Sequence, residues 1–126
     1  DIALFVAAVS DWKPQGRADQ KIKHDGGDMT VTFVPNPDIA ATLAADKGDT
    51  LVVTYAAETC DVLASARKKL LFKNADLVVA NDVSGELGMG SADNRVWFVG
   101  ADDVEELPVL SKRLIARKLF DRLLAK

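Results

Sequence analysis

Leu51-Val52-Val53-Thr54-Tyr55 and Leu77-Val78-Val79-Ala80 are two short apolar runs on either side of a helical pattern that extends to about Lys73. Each run lacks the alternation of a half-exposed strand, which is typical of strands buried on both faces of a sheet. Thr59 or Asp61 is the expected N-cap of the intervening helix. Two buried strands joined by a helix predict a βαβ unit with parallel strands.

The same pattern extends to both sides of this unit. Residues 2–9 form an apolar run that we expect to be a buried strand, and residues 95–99 are expected to form a fourth strand. Asn, Pro and Asp at 36–38 predict a helix start, and that helix should end near Gly48. A last helix is expected over residues 111–125, capped by a serine. The alternation predicts one α/β domain over residues 1–126, with a mainly parallel sheet between helix layers.

Residues 20–34 differ from this pattern. A polar segment, the turn Asp25-Gly26-Gly27-Asp28 and an alternating segment at 29–34 predict a protruding β-hairpin arm with one face against an edge or a partner. Lys21 and Lys23 fall on one face of the arm. Spacing alone favours a solvated edge that resists aggregation. The functional alternative is a movable basic arm that closes over phosphates.

Composition excludes several classes of function. The net charge of −3 argues against a general nucleic-acid binder, and the longest apolar run, about eight residues, is far shorter than a membrane span. No signal peptide is visible, so a cytoplasmic protein is expected. Cys60 and His24 are single, which excludes an intrachain disulfide and a zinc site of several thiolates or histidines. Cys60 is expected to be a buried inert thiol, and His24 an exposed residue beside a turn.

Ligands of open α/β sheets bind outside the carboxyl ends of the strands. Three predicted strands pass there from apolar to small and acidic residues, at 5–11, 53–58 and 79–82. Taken singly, each is better explained by turns and caps; together they favour a pocket. The helix start at Asp38 could likewise hold an anion, a ribose or a metal, or simply be a cap.

Lys69 and Lys73 continue the apolar stripe of Val62 and Ala66 on the helical wheel. They could neutralise an anion, but a helix antiparallel to the strands should end far from the strand tips. Snorkelling is therefore the favoured interpretation. The glycine-rich residues 85–91 lie between two strands rather than at a helix start, so they predict a flexible loop and not a dinucleotide fingerprint.

Six short segments, in this order and spacing, resemble the phosphopantothenate–cysteine ligase family, whose bacterial members are often fused to a flavin-dependent decarboxylase. Each is weak alone, but together they span most of the chain. They are Ala7-Ala8-Val9-Ser10-Asp11-Trp12-Lys13-Pro14, Lys21-Ile22-Lys23, Asn36-Pro37-Asp38-Ile39, Tyr55-Ala56-Ala57-Glu58-Thr59, Ala80-Asn81-Asp82-Val83-Ser84 and Gly90-Ser91-Ala92-Asp93-Asn94.

The resemblance implies a Rossmann-like domain that uses CTP, with a divalent cation such as Mg²⁺, to join 4′-phosphopantothenate to L-cysteine. The substrate carboxylate attacks the α-phosphate to give an acyl-cytidylate and pyrophosphate, and the cysteine amine then displaces CMP. Lys21 is implied as the catalytic arm residue. The implied CTP-binding residues are Phe5, Val6, Ala7, Asp11, Lys21, Pro37, Asp38, Ile39, Ala40, Tyr55, Lys69 and Lys73. The family also implies a homodimer, with the arm at its interface.

The chain departs from the family in three ways. Tyr55 stands where phenylalanine is common, and His24 stands where a further basic residue is common. The start at Asp1, immediately before a strand, predicts a fragment without the N-terminal half that carries another glycine-rich loop and an asparagine that acts on the acyl-cytidylate. The fragment alone is expected to bind nucleotide weakly and not to turn over. A non-catalytic nucleotide- or flavin-binding module and a dimerising interaction domain remain alternatives, and CTP is not distinguished from ATP.

Overall fold

The computed structural model describes residues 1–85 and 90–125. Its elements alternate between strands and helices along most of the chain. They are β1 (Ile2–Phe5), β2 (Trp12–Pro14), β3 (Phe33–Pro35), α1 (Ile39–Ala44), β4 (Leu51–Glu58), α2 (Val62–Phe72), β5 (Leu77–Asp82), β6 (Asp93–Asn94), β7 (Val96–Val99), β8 (Val104–Glu106), β9 (Leu110–Ser111) and α3 (Lys112–Leu124).

The central sheet has the strand order β1-β4-β5-β7-β8. β1, β4 and β5 run parallel, with Phe5 opposite Thr54 and Glu58 opposite Asp82. β7 and β8 are antiparallel to their neighbours. The predicted βαβ unit and the mainly parallel sheet are therefore confirmed, with an antiparallel extension at one side.

Helices cover both faces of this sheet. Val53 and Val79 belong to the apolar cluster that includes Leu119 of α3, whereas Val78 belongs to the cluster that includes Ala66 of α2. Successive residues of a strand point to opposite faces, so α2 and α3 pack on opposite sides. The predicted three-layer arrangement is confirmed.

The expectation of a fully buried first strand is wrong. β1 ends at Phe5 and, within the described chain, pairs only with β4, so it is an edge strand. Val6 and Val9 are 60% and 61% exposed. An apolar run cannot by itself show whether neighbouring strands lie on both sides, because that depends on segments distant in sequence.

The helix after the arm is shorter than predicted. α1 begins at Ile39 with Asp38 as its N-cap, and the Asp38 side chain accepts a hydrogen bond from Ala41 N at 3.0 Å. Asn36 lies at the base of the arm instead, where its N–H donates to Asp11 O at 2.8 Å. α2 and α3 agree with the predicted bounds to within about two residues.

The arm is tied together at its base rather than along its length. β2 and β3 pair antiparallel, with Trp12 opposite Pro35, whereas residues 20–24 and 29–32 form no strand. The predicted turn is present locally, since Gly26 has a φ of 87° and Asp25 accepts a hydrogen bond from Gly27 N. Met29 and Val31 of the alternating segment are 67% and 40% exposed, and a hairpin whose apolar face is poorly packed is marginal.

Candidate active site

A cavity of about 420 Å³ lies at the end of β1 and beside the middle of β4, bordered by the start of α1 and the last turns of α2. Its walls combine apolar strand residues with two carboxylates and two ammonium groups. Of the residues that the family resemblance implicates, ten line it: Phe5, Val6, Ala7, Asp11, Asp38, Ile39, Ala40, Tyr55, Lys69 and Lys73. Residues separated by up to 68 positions in the sequence thus meet at one site, and Thr54 lines it with them.

Asp38 has two structural partners in the cavity wall. One carboxylate oxygen caps α1 through Ala41 N at 3.0 Å, and the other lies 3.3 Å from Lys73 Nζ. The N–H of Ala41, and after it Lys73, lowers the pKa of the Asp38 carboxyl below its usual value. The carboxylate is therefore ionised at neutral pH and holds Lys73 at the α1 start.

Lys69 reaches into the same cavity from α2. Its Nζ donates to the carbonyl of Tyr55 at 3.0 Å. The prediction that the end of α2 lies away from the site is wrong, because the cavity extends from the end of β1 to the last turns of this helix, where the long lysine side chains can reach it. Both lysines point their charge to polar groups of the cavity wall rather than snorkelling to open solvent.

Two polar residues follow one another in β4 at the cavity. Burial raises the pKa of the Tyr55 phenol above its usual value, so the ring is neutral at physiological pH. Thr54 is 2% exposed, and its hydroxyl finds no hydrogen-bond partner in residues 1–85 and 90–125. The sequence analysis missed Thr54. The available signal was a single hydroxyl within an otherwise apolar buried strand.

Lys21 and Pro37 lie outside this lining. Lys21 is exposed in the arm, and Pro37 borders an adjoining cavity of about 210 Å³ that shares Asp11, Asp38 and Lys73 with the larger one. Asn36 connects the arm to the site, because its side chain donates to Ser10 O at 2.8 Å. The arm base is thus fixed beside the cavity while Lys21 stands away from it.

The third polar strand tip has a local role instead. Asp82 accepts hydrogen bonds from the hydroxyl and the N–H of Ser84, which lower the pKa of its carboxyl together with Arg95. Neither Asp82 nor its neighbour Glu58 lines the cavity described above. Of the three segments predicted to form the pocket, 5–11 lines this cavity, 53–58 contributes only Thr54 and Tyr55, and 79–82 does not line it.

The remaining predicted features have mixed outcomes. His24 is exposed, as predicted, but the prediction that Cys60 is buried is wrong, since it is an exposed free thiol. The glycine-rich loop prediction falls largely outside the described residues, at 86–89.

In the described chain no group of three or more His, Cys, Asp or Glu forms a metal cage. No helix within those residues is long and apolar enough to cross a membrane.

Comparison with known proteins places this chain in a family. The family described as DNA/pantothenate metabolism flavoprotein C-terminal domain matches residues 1–126. A relative in Vibrio vulnificus strain CMCP6, the coenzyme A biosynthesis bifunctional protein CoaBC, is 39% identical over 127 residues. That match covers 98% of this chain and 32% of the relative, so the chain spans about a third of its length.

Solved structures show the same fold. The crystal structure of the C-terminal domain of a coenzyme A biosynthesis bifunctional protein CoaBC superposes with a TM-score of 0.69 at 32% identity, covering 93% of this chain and 50% of that one. A mutant of Cab2 in complex with phosphopantothenate-cysteine superposes with a TM-score of 0.62 at 21% identity, covering 94% of this chain and 43% of that one. The resemblance read from six short segments is confirmed, and the chain belongs to the DNA/pantothenate metabolism flavoprotein C-terminal domain family.

Proposed function

We propose that this chain is the nucleotide-binding part of a phosphopantothenate–cysteine ligase of coenzyme A biosynthesis that uses CTP. The observation that carries the proposal is the cavity in which ten residues implicated by the family resemblance converge, with Lys69 and Lys73 on its wall. Membership of a family whose relatives are named as coenzyme A biosynthesis proteins supports it. The activity itself is proposed for a whole protein. In the Vibrio vulnificus relative, the region that matches this chain is about a third of the length.

The cavity suits a nucleoside triphosphate because it offers two different environments. Phe5, Val6 and Ala7 supply small and apolar surface for a base, and Lys69 and Lys73 supply positive charge for phosphates. Lys73 is presently paired with Asp38, and Lys69 with a neutral carbonyl, so both charges can be redirected to an anion by side-chain rotation. A polyphosphate competes well for them because charge-assisted hydrogen bonds to phosphate are stronger than a lysine–carbonyl bond.

The reaction proceeds in two steps. The carboxylate of 4′-phosphopantothenate attacks the α-phosphorus of CTP, the bond to the β-phosphate oxygen breaks, and pyrophosphate leaves. The amine of L-cysteine then attacks the acyl carbon of the cytidylate, CMP leaves, the amine loses a proton and an amide forms. Negative charge develops on the α-phosphate oxygens in the first step, where Lys21 stabilises it once the arm closes. Closure also shelters the mixed anhydride from water.

A divalent cation such as Mg²⁺ fits the donors that the site provides. Magnesium is usually held by one or two carboxylates together with substrate phosphates and waters, rather than by an all-protein cage. Asp11 and Asp38 would hold it, since both line the cavity and the one beside it. When bound it supplies positive charge to the triphosphate.

The arm supports the proposal of a homodimer. Ile22, Met29 and Phe33 are 63%, 67% and 54% exposed, which is unusual for side chains of this size on one projection. A second copy that covers them would remove this apolar surface from water and hold the arm near the site. The 126 residues without the rest of such a protein are expected to bind CTP weakly and to form no product.

A nucleotide panel tests the proposal. Selective thermal stabilisation by CTP with Mg²⁺ is expected, whereas a response to FMN would favour a flavin-binding module and no response to any nucleotide would favour an interaction domain. In the full-length protein, Lys21→Gln should abolish product formation without lowering the melting temperature. Lys23→Gln is the matched control, because it removes the same charge two residues away on the same exposed segment. Wild-type turnover by the Lys21 variant would remove this residue from the mechanism.

A further inference from the structure

Thr54 is a polar residue in the buried part of β4. Its neighbours Val52, Val53 and Ala56 are buried apolar residues, and Thr54 itself is only 2% exposed. Its hydroxyl oxygen has no hydrogen-bond partner within the described residues. Unpaired buried hydroxyls destabilise folded proteins, and each one in a native structure calls for a physical explanation.

The position of Thr54 suggests that explanation. It pairs with Phe5, the last residue of β1, so it stands where the β1–β4 ladder ends and the cavity begins. Thr54 is also one of the residues that line this cavity. The buried, unpaired hydroxyl therefore belongs to a residue that lines the cavity.

Lys69 is placed so that its movement would make a polar group of the cavity wall accessible to a ligand. It lines the same cavity, and its Nζ donates to the carbonyl of Tyr55, the residue after Thr54. A phosphate group is a stronger acceptor for an ammonium group than a neutral carbonyl is. Movement of Lys69 to a phosphate releases the Tyr55 carbonyl from its bond to the ammonium group, next in the chain to the unpaired Thr54 hydroxyl.

We propose that the Thr54 hydroxyl is a hydrogen-bonding contact for the bound nucleotide, engaged when Lys69 moves from the Tyr55 carbonyl to the phosphates. The contact is to the uncharged base or ribose, because the hydroxyl is flanked by apolar strand residues and the lysines take the phosphates. In this structure the hydroxyl is buried, so the contact requires a rearrangement of the cavity wall when the nucleotide binds. The inference rests on the proposed function and adds a residue that neither the family resemblance nor the sequence pattern assigned.

Thr54→Val tests it, since valine has nearly the same shape without the hydroxyl. Removal of an unpaired buried hydroxyl should raise the melting temperature by roughly 3 °C or more. The same change should weaken CTP binding about three- to tenfold, the range expected for one lost hydrogen bond. Thr54→Ser keeps the hydroxyl and should bind CTP close to wild type despite losing a methyl group. A purely structural hydroxyl would not give higher stability together with weaker binding.

Calorimetric titration with CTP and Mg²⁺, together with thermal melts of the full-length protein, provides both readouts. Wild-type affinity in Thr54→Val overturns the proposal, and so does a lower melting temperature, which would show that the hydroxyl already has a partner. If the wild-type protein binds CTP and only the Thr54→Val prediction fails, the nucleotide site stands without this contact. If the wild-type protein binds no CTP, both proposals fall together.

Discussion

Lys73→Gln separates the binding role of the cavity from its structural role. Lys73 Nζ lies 3.3 Å from the Asp38 carboxylate, and the two side chains are 23% and 34% exposed. An ion pair with this exposure contributes only about 0.2–1 kcal/mol to the free energy of unfolding. Asp38 also retains its hydrogen bond from Ala41 N in the variant, so the α1 cap survives. We therefore expect a loss of stability below about 1 kcal/mol.

The expected effect on nucleotide binding is larger. A hydrogen bond to a charged group contributes about 1.5–3 kcal/mol, which corresponds to roughly 10- to 150-fold in affinity. Lys69 and a divalent cation would still attract the phosphates, so the lower part of this range, about 10- to 30-fold, is the expected increase in Kd for CTP. The effect should shrink at high salt, because screening weakens partly exposed charges.

Lys47→Gln is the matched control. Lys47 Nζ contacts Asp76 Oδ1 at 2.9 Å and Asn74 O at 2.7 Å, with 18% side-chain exposure, and it lies outside the cavity lining. Lys47→Gln removes the same charge, but from a lysine with two close hydrogen-bond partners. The expected loss of stability is therefore larger, about 1–2 kcal/mol, and the Kd for CTP should not change. Calorimetric titration and thermal melts of both variants provide the comparison. Equal Kd values for Lys73→Gln and wild type would refute the assignment of Lys73 to the phosphates. Equal losses of CTP affinity in the Lys73 and Lys47 variants would refute it as well.

Three further predictions concern the Asp38 cap of α1 and the Asn36 amide at the base of the arm. Asp38→Ala should lower stability by about 1 kcal/mol at neutral pH through loss of the cap, whereas Asp38→Asn should cost little there because asparagine caps equally well. The Asp38 pKa is lowered in the fold, so its charge stabilises the protein above the unfolded pKa and that contribution is lost as pH falls through the folded pKa. Acid melts of Asp38→Asn should therefore show a shallower loss of stability below about pH 4 than wild type, and identical slopes would contradict this account. Asn36→Asp and Asn74→Asp each remove one amide donor of a 2.8 Å bond to a carbonyl, and each should cost about 1 kcal/mol in thermal melts. Only the Asn36 variant should raise the Kd for CTP, since only its bond joins the arm base to the cavity; equal Kd values for both would show that the arm base does not position the site.

Several predicted elements agree with the structure because their signals are local. β4, α2 and β5 follow from short apolar runs separated by a helical stripe, and Ser111 caps α3 by accepting a hydrogen bond from Leu114 N. The short strands β2, β6, β8 and β9 were not predicted. Two or three residues carry too little periodicity to indicate a strand, and their pairing depends on segments far along the chain.

The candidate site shows the same division. Family membership could be recognised from ordered segments, and that recognition brought together the residues that line the cavity. Residue periodicity alone gave the wrong place for Lys69 and Lys73, because it carries no information on how far a cavity extends under a helix. Thr54 escaped notice because an unsatisfied hydroxyl becomes visible only when all its neighbours are known.

The order of residues was enough to determine the βαβ unit, the parallel core of the sheet and the family, since these depend on local periodicity and on motifs fixed in the chain. Tertiary structure alone decided that β1 is an edge strand, that the arm is held at its base and that Lys73 meets Asp38. Those features are contacts between segments distant along the chain. Their free energies depend on which surfaces meet in three dimensions, and no local pattern records that.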